Sequence, residues 1–155
     1  QGSIVQADNV STDTTVTGDS NTITYDRGDA ASVASSSETV TVTGSSNNLT
    51  FNQGTAASAT GATQTIEITG DTNTLTSTIN ADDVVNTKTI AGDGNTITTV
   101  QDGTAGKNIE MILTGNTNTV TVNQKSTNNV DTLKIDSTSS GSTITINQCN
   151  AGGPC

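Results

Sequence analysis

Few side chains of this chain have a type and spacing that could perform acid–base, nucleophilic or metal chemistry. The sequence contains no histidine, and its two cysteines, Cys149 and Cys155, both lie near the end. No serine or cysteine is accompanied by a recognisable base, which nucleophilic catalysis requires. Histidine is also the usual acid–base group near neutral pH and a common zinc ligand. We therefore expect no enzyme activity, no cofactor and no metal site.

Calcium is a minor alternative that the acidic side chains leave open. Asp19, Asp71 and Asp93 recur at the same place in successive turns and would stack along one edge. The turns do not match the Gly-Gly-x-Gly-x-Asp calcium nonapeptide. Two further copies carry Ser45 and Asn116 at this position instead.

The side chains with regular spacing are carboxamides. The phrase Gly-x-x-Asn-x-apolar-x-x-x-Gln returns six times, about every two dozen residues, in complete or partial form. A fixed period of this size is typical of a repeat architecture in which each unit buries its apolar face against its neighbour. The recurring amides are Asn21, Asn47, Asn73, Asn95, Asn118, Gln53, Gln101, Gln124 and Gln148.

The unit from Glu38 to Gln53 shows which elements must position these amides. Val40 and Val42 alternate with threonines, which is the period-2 pattern of a strand buried on one face. A turn follows, and then Asn47, Leu49, Phe51 and Gln53 share one parity of a second strand. The sequence therefore predicts an all-β protein, a β-solenoid of about six strand–turn–strand rungs.

Stacking of these rungs would align like residues about 4.8 Å apart. Inward amides could then form ladders in which each side chain donates to one neighbour and accepts from the other, which would fix the register. The alternative is that Asn serves turn formation alone. The predicted core residues are Val16, Ile23, Val42, Leu49, Phe51, Ile68, Leu75, Ile90, Ile97, Leu113, Val120, Val122, Ile144 and Ile146.

Composition supports a thin structure. The chain has 155 residues, of which 29% are hydrophobic and 13% charged, with a net charge of −10. An acidic surface of this kind disfavours nucleic acid and anionic membranes as partners, and no apolar run is long enough for membrane insertion. We expect one domain with three parts: an N-terminal segment 1–12 that caps an end or adds a strand to another subunit, repeats over 13–148, and a disulfide loop over 149–155. The short loop lets Cys149 and Cys155 meet in a disulfide, and two free thiols are the alternative.

One outward face suggests a second function. Threonines alternate along each second strand and would stack into two files, an arrangement that resembles the ice-binding face of antifreeze β-solenoids. Strand propensity alone also explains abundant threonine. The residues of this array are Thr22, Thr24, Thr50, Thr74, Thr76, Thr96, Thr98, Thr119, Thr121, Thr143 and Thr145.

The motif resembles the curlin repeat of the major curli fibre subunit, whose pattern is Ser-x5-Gln-x-Gly-x2-Asn-x-Ala-x3-Gln. The second half of the pattern matches at Gly44 to Gln53, Gly92 to Gln101 and Gly115 to Gln124. Arg27 and Ile79 stand where a glutamine is expected. Apolar residues replace the earlier glutamine, at Val16, Val42, Ile68, Ile90 and Leu113. The resemblance implies a curlin-like solenoid that polymerises outside the cell.

These observations together predict a structural subunit of an extracellular fibre. The partner is the chain itself, by head-to-tail stacking or strand addition, with secretion or nucleation factors as further partners. Because the sequence begins at Gln1, we expect a mature form at the cell surface after removal of a signal peptide. A virion fibre or decoration protein is a third alternative.

Overall fold

The computed structural model describes residues 11–28, 33–103, 106–125, 127 and 132–149. These residues contain strands and turns, and none of them forms a helix that could cross a membrane. The strands run in chain order as β1 Ser11–Thr17, β2 Thr22–Arg27, β3 Ser37–Thr43, β4 Asn48–Gln53, β5 Thr63–Thr69, β6 Thr74–Asn80, β7 Val85–Thr87, β8 Ile90–Ala91, β9 Thr96–Asp102, β10 Asn108–Thr114, β11 Thr119–Gln124, β12 Thr132–Ser137 and β13 Thr143–Gln148.

The described strands form two parallel sheets that face each other. The first sheet runs β1-β3-β5-β7-β10-β12, with β8 continuing the line of β7 between β5 and β10. The second sheet runs β2-β4-β6-β9-β11-β13. Each step along the chain adds one strand to each sheet, so the described residues make six stacked rungs joined by five steps. The predicted all-β solenoid is confirmed.

The core lies between the sheets because alternate residues of each strand point inward. Strand β5 shows the pattern most clearly, since Gln64, Ile66 and Ile68 are buried and the residues between them are exposed. Most predicted core residues are buried: Val42, Leu49, Phe51, Ile68, Leu75, Ile90, Ile97, Leu113, Val120 and Val122. A second, smaller cluster of Ala59, Ala62, Ile79, Ala81 and Val84 fills the side of the variable loops.

Four predicted core residues are less buried than expected, and all four belong to end rungs. The prediction for Val16 is wrong, since 43% of this residue is exposed. Ile23, Ile144 and Ile146 are only partly buried, although they pack against the core. An inward residue of an end rung has a stacked neighbour on one side only within the described residues, so burial falls even though the parity is correct.

Candidate assembly surface and internal ladders

Five turns between the two sheets begin with a glycine for a steric reason. These glycines have φ between +109° and +129°, a region that residues with a side chain rarely adopt. A Cβ added to any of them would lie only 2.1–2.3 Å from a backbone oxygen of the following turn. Glycine is therefore what allows the rungs to approach closely at this corner. The positions are Gly18, Gly44, Gly70, Gly92 and Gly115.

The third residue of each turn takes the left-handed conformation. Gly94 does so at φ +65°, and Thr72 and Thr117 do so at +58° and +57°. Threonine is β-branched and poorly suited to this region. Each threonine hydroxyl donates to the carbonyl oxygen of the preceding residue over 2.7 Å. The turn therefore holds Thr72 and Thr117 in a left-handed conformation that threonine rarely adopts.

The predicted asparagine ladder is present and satisfies every polar atom of its inner members. In Asn73, Nδ2 donates to Oδ1 of Asn47 over 3.1 Å and to the carbonyl of Gly92 over 2.9 Å. Its Oδ1 accepts from the backbone N and from Nδ2 of Asn95, at 2.9 and 3.0 Å. The same contacts link Asn21 to Asn47 and Asn95 to Asn118. The side-chain bonds of these asparagines all go to neighbouring rungs, so the residue does not serve turn formation alone.

A second ladder follows the outer edge of the same turns. A side-chain oxygen of each turn accepts the backbone N–H of the preceding turn, as from Ser45 to Asp71 over 2.6 Å and from Asp71 to Asp93 over 2.8 Å. The series ends with Asn116 and Ser140. The described residues contain no group of three or more His, Cys, Asp or Glu side chains placed to hold a metal ion.

The glutamines form a shorter ladder than the sequence suggests. Nε2 of Gln101 donates to Gln124 over 3.1 Å, and Nε2 of Gln124 donates to Gln148 over 2.8 Å. Gln53 does not belong to this ladder, which corrects its assignment. The next residue in its row is Ile79, and Gln53 donates instead to the carbonyl of Ala59 over 3.4 Å.

Sequence reasoning missed a polar cluster in the middle of the core. Lys88 is fully buried, and its Nζ donates to Asn86 Oδ1, Ser77 Oγ and Gln64 Oε1 over 2.7, 3.1 and 3.4 Å. These acceptors are neutral oxygens. Burial lowers the pKa of Lys88 to about 7, an effect that the charge of Glu38 opposes. A signal was available, because Lys88 shares the inward parity of Ile90.

A buried ion pair, Arg27–Glu38, lies next to this polar cluster, because Glu38 is the neighbour of Gln64 in the same row of the first sheet. Arg27 donates to the carboxylate of Glu38 and, over 2.6 Å, to Thr12. Its guanidinium lies 5.1 Å from the ring centroid of Tyr25. Burial raises the pKa of the Glu38 carboxyl, while Arg27 acts in the opposite direction. Arg27 occupies the row in which four of the five later rungs carry glutamine, so the guanidinium replaces an amide there.

The two end rungs present open strand edges. No strand of the described residues pairs with the outer edges of β1 and β2 or of β12 and β13. All residues of β1 are exposed, and those of β13 alternate between exposed and partly buried. The predicted N-terminal segment falls mostly outside the described residues, although β1 begins at Ser11. Cys149 is disulfide-bonded, and its predicted partner Cys155 lies outside the described residues.

The threonine array lies on the outward face of the second sheet in two files that follow the strand register. The file of Thr24 is threonine at every rung, and the file of Thr22 is interrupted by Asn48 alone. Members of the first file at inner rungs are partly buried by their neighbours, and those of the second file are exposed. The complete file contains Thr24, Thr50, Thr76, Thr98, Thr121 and Thr145, and the interrupted file contains Thr22, Thr74, Thr96, Thr119 and Thr143.

Comparison with protein-family models, with curated proteins and with solved structures finds no match for this chain. The likeness to the curlin repeat therefore depends on the turn motif and its spacing. The geometry described above gives that motif a physical meaning, because its glycine and asparagine are the residues that make close parallel stacking of rungs possible.

Proposed function

We propose that this protein is the structural subunit of an extracellular fibre that grows by head-to-tail stacking of solenoids. The observation that carries the proposal is that the first and last described rungs both end in open strand edges, whose rows of side chains can continue from one copy to the next. Both edges are unpaired within the described residues. Open parallel edges invite a further strand, and a head-to-tail contact does not close on itself, so it produces filaments.

The rows of the second sheet continue across such a joint. If a second copy follows β13 in the register that β13 keeps with β11, Ile144 meets Ile23 and Ile146 meets Tyr25 of the next copy. These four side chains are only partly buried in the single chain. The joint would therefore bury apolar surface that the isolated solenoid leaves in water, which favours association.

The rows of the first sheet place opposite charges together. The same register brings Lys134 of β12 beside Asp13 of the next β1. Lys134 is exposed and already pairs with Glu110 on the preceding rung over 2.8 Å. Stacking would complete an alternating series Glu110–Lys134–Asp13. Because the chain carries a net charge of −10, copies repel each other overall, and we expect salt to promote assembly by screening that repulsion.

Electron microscopy with a charge-swap series tests this function. The wild type should form unbranched filaments with an axial diffraction spacing of about 4.8 Å. Lys134→Asp and Asp13→Lys should each slow filament formation, and the double variant should recover it. The Lys134–Glu110 pair is exposed and contributes little, so the melting temperature of the monomer serves as the control and should stay nearly constant. Monomers at every salt and protein concentration would refute the fibre.

Secretion, cell-surface location and secretion or nucleation factors belong to this proposal as its biological setting. A virion fibre would use the same joint, so the microscopy does not separate the two settings. Localisation of the protein with an antibody on intact producing cells and on purified virions does.

Ice binding is a second candidate because of the complete threonine file. Parallel strands hold Thr74 and Thr76 two residues apart, about 6.6 Å, and repeat them about every 4.8 Å along the axis. Such a grid of hydroxyl and methyl groups is a regular surface for ordered water. Thermal hysteresis of the monomer measures this activity. Thr76→Tyr should abolish it, whereas Thr41→Tyr on the outward face of the first sheet should leave it unchanged.

A further inference from the structure

The corner of the last described rung differs from the five corners before it. Every earlier turn begins with a glycine, whereas the corresponding residue of the last turn is Ser139. The carbonyl oxygen of Ser139 is the atom that a Cβ on Gly115 would approach to 2.3 Å, so Ser139 occupies the glycine row. Ser139 does not have positive φ, so the last turn also departs from the backbone conformation that the five glycines share.

The asparagine row ends in a serine at the same corner. The backbone N of Ser142 donates to Oδ1 of Asn118 over 2.9 Å, as an asparagine of the ladder would. Ser142 has no carboxamide, so it cannot offer the Oδ1 acceptor that each ladder asparagine offers to the next rung. Its hydroxyl is instead 2.6 Å from the hydroxyl of Ser139, which lies 3.1 Å from that of Ser137. Ser137 itself pairs with Leu113 and takes the place of an apolar residue in its row.

A following rung would therefore meet a changed surface at this corner. Ser139 carries a side chain in the row where the five earlier turns have none, and its backbone does not adopt the conformation with which those glycines approach the next turn. Asn21 of a following copy would also meet the short hydroxyl side chain of Ser142, 2.6 Å from that of Ser139, instead of the carboxamide oxygen that each ladder asparagine provides. The strand edges match across the joint, but the corner does not.

We propose that the serine corner, formed by Ser137, Ser139 and Ser142, is a built-in stop that weakens the joint with a following copy of this chain. This proposal rests on the proposed fibre function, because the stop acts on the joint through which the fibre would grow. Internal rungs then bind each other more tightly than subunits do. A weaker joint raises the protein concentration that assembly requires, and it makes the contact between subunits the weakest contact along the fibre.

Variants that restore the internal sequence at this corner test the proposal. Ser139→Gly restores the glycine of an inner turn and Ser142→Asn restores its asparagine. The double variant has the complete pattern Gly-x-Gly-Asn, as found at residues 92–95. Thr138→Gly is the matched control, because it adds the same backbone freedom one residue away without restoring the glycine row. The concentration of protein left in the supernatant after sedimentation of assembled material is the measurement.

We expect the double variant to lower this critical concentration about tenfold, which corresponds to ~1.4 kcal/mol of joint free energy. Thr138→Gly should leave it unchanged or raise it. Hydrogen exchange of β12 and β13 in unassembled samples reports whether the last rung still folds. If Ser139→Gly loosens that rung, Ser142→Asn alone carries the comparison, since it leaves the Ser139 backbone unaltered.

The outcomes separate this proposal from the fibre function. A wild type that stays monomeric while the double variant forms filaments supports the stop and refutes the fibre as the natural state. A wild type that forms filaments at the same concentration as the double variant refutes the stop and leaves the fibre standing. An equal effect of Thr138→Gly and Ser139→Gly also refutes the stop, because backbone freedom would then explain both results.

Discussion

Nζ of Lys88 donates a hydrogen bond to Oδ1 of Asn86 over 2.7 Å, at a fully buried position between the two sheets. Asn86 lies in β7 and Lys88 follows two residues later, between β7 and β8, so both side chains point into the core. A buried ammonium without a contacting carboxylate is costly, because neutral oxygens replace only part of its hydration. Burial of the Lys88 ammonium at this position makes the stability of the solenoid depend on pH.

Stability should rise as the pH increases from about 7 toward 10.5. The pKa of Lys88 is about 7 in the folded chain and 10.5 as a free side chain. Between these values the unfolded chain binds one proton more than the folded chain, so the free energy of unfolding increases with pH. The full change is on the order of 5 kcal/mol, at about 1.4 kcal/mol per pH unit. Denaturant unfolding at several pH values measures it.

Lys88→Met is the control for this dependence. Methionine keeps a long side chain in the core and removes the titrating group, so the variant should be more stable than the wild type at pH 7. The difference between the two proteins should shrink as the pH rises from 7 toward 10.5, because removing the proton that Lys88 loses on folding becomes less costly at higher pH. A constant difference from pH 7 to pH 10 would show that Lys88 is charged in the fold throughout.

Gly70→Ala should prevent stable stacking at the corner. Its Cβ would lie 2.3 Å from the backbone oxygen of Gly92, which cannot move without displacing a rung. Gly141→Ala is the matched control, because Gly141 also has positive φ, +69°, but an added Cβ meets no atom within 4 Å. We expect a loss above ~4 kcal/mol at Gly70 and about 1 kcal/mol at Gly141. Thermal unfolding followed by circular dichroism compares them, and equal losses would contradict the steric argument.

Thr72→Gly should stabilise the chain by about 1 kcal/mol, since Thr72 has φ of +58° and glycine already occupies this turn position at Gly94. Thr74→Gly is the control, and it should destabilise the chain. Thr74 lies two residues later in β6, where glycine removes an ordinary strand residue and should destabilise by a similar amount. Chemical denaturation gives both values, and two losses would show that the left-handed strain at Thr72 is negligible.

Asn95→Ala should cost about 3 kcal/mol or more. The substitution removes the acceptor of the Asn118 backbone N and the donor to the Gly115 carbonyl, and it leaves these buried groups without partners. Val120→Asp should be at least as damaging because it buries a carboxylate in the core. Thr98→Ser on the outward face should change stability by less than ~0.5 kcal/mol. Similar losses in all three variants would contradict the inward and outward assignments.

Local pattern was sufficient to assign most faces. The alternation around Val42 and Phe51 predicted their burial, and the recurrence of asparagine predicted a ladder that extends from Asn21 to Asn118. Counting from the turn glycine places Arg27 and Ile79 in the row of Gln53, on the rungs before and after it, so the pattern itself argued against a glutamine ladder through Gln53. The pattern could not show the partner that Gln53 takes instead, the carbonyl of Ala59, because Ala59 lies in a variable loop whose path the repeat does not specify.

Parity along a strand follows from covalent geometry, and the sequence alone therefore determined the solenoid class, the inward rows and the threonine files. Burial and partner choice depend on what stacks above and below each residue, which only the tertiary structure decided. Val16 has the right parity but lies in an end rung, and Lys88 has the same parity as its apolar neighbours yet finds three polar partners across two sheets. The need for glycine at the corner likewise arises only when one turn approaches the next.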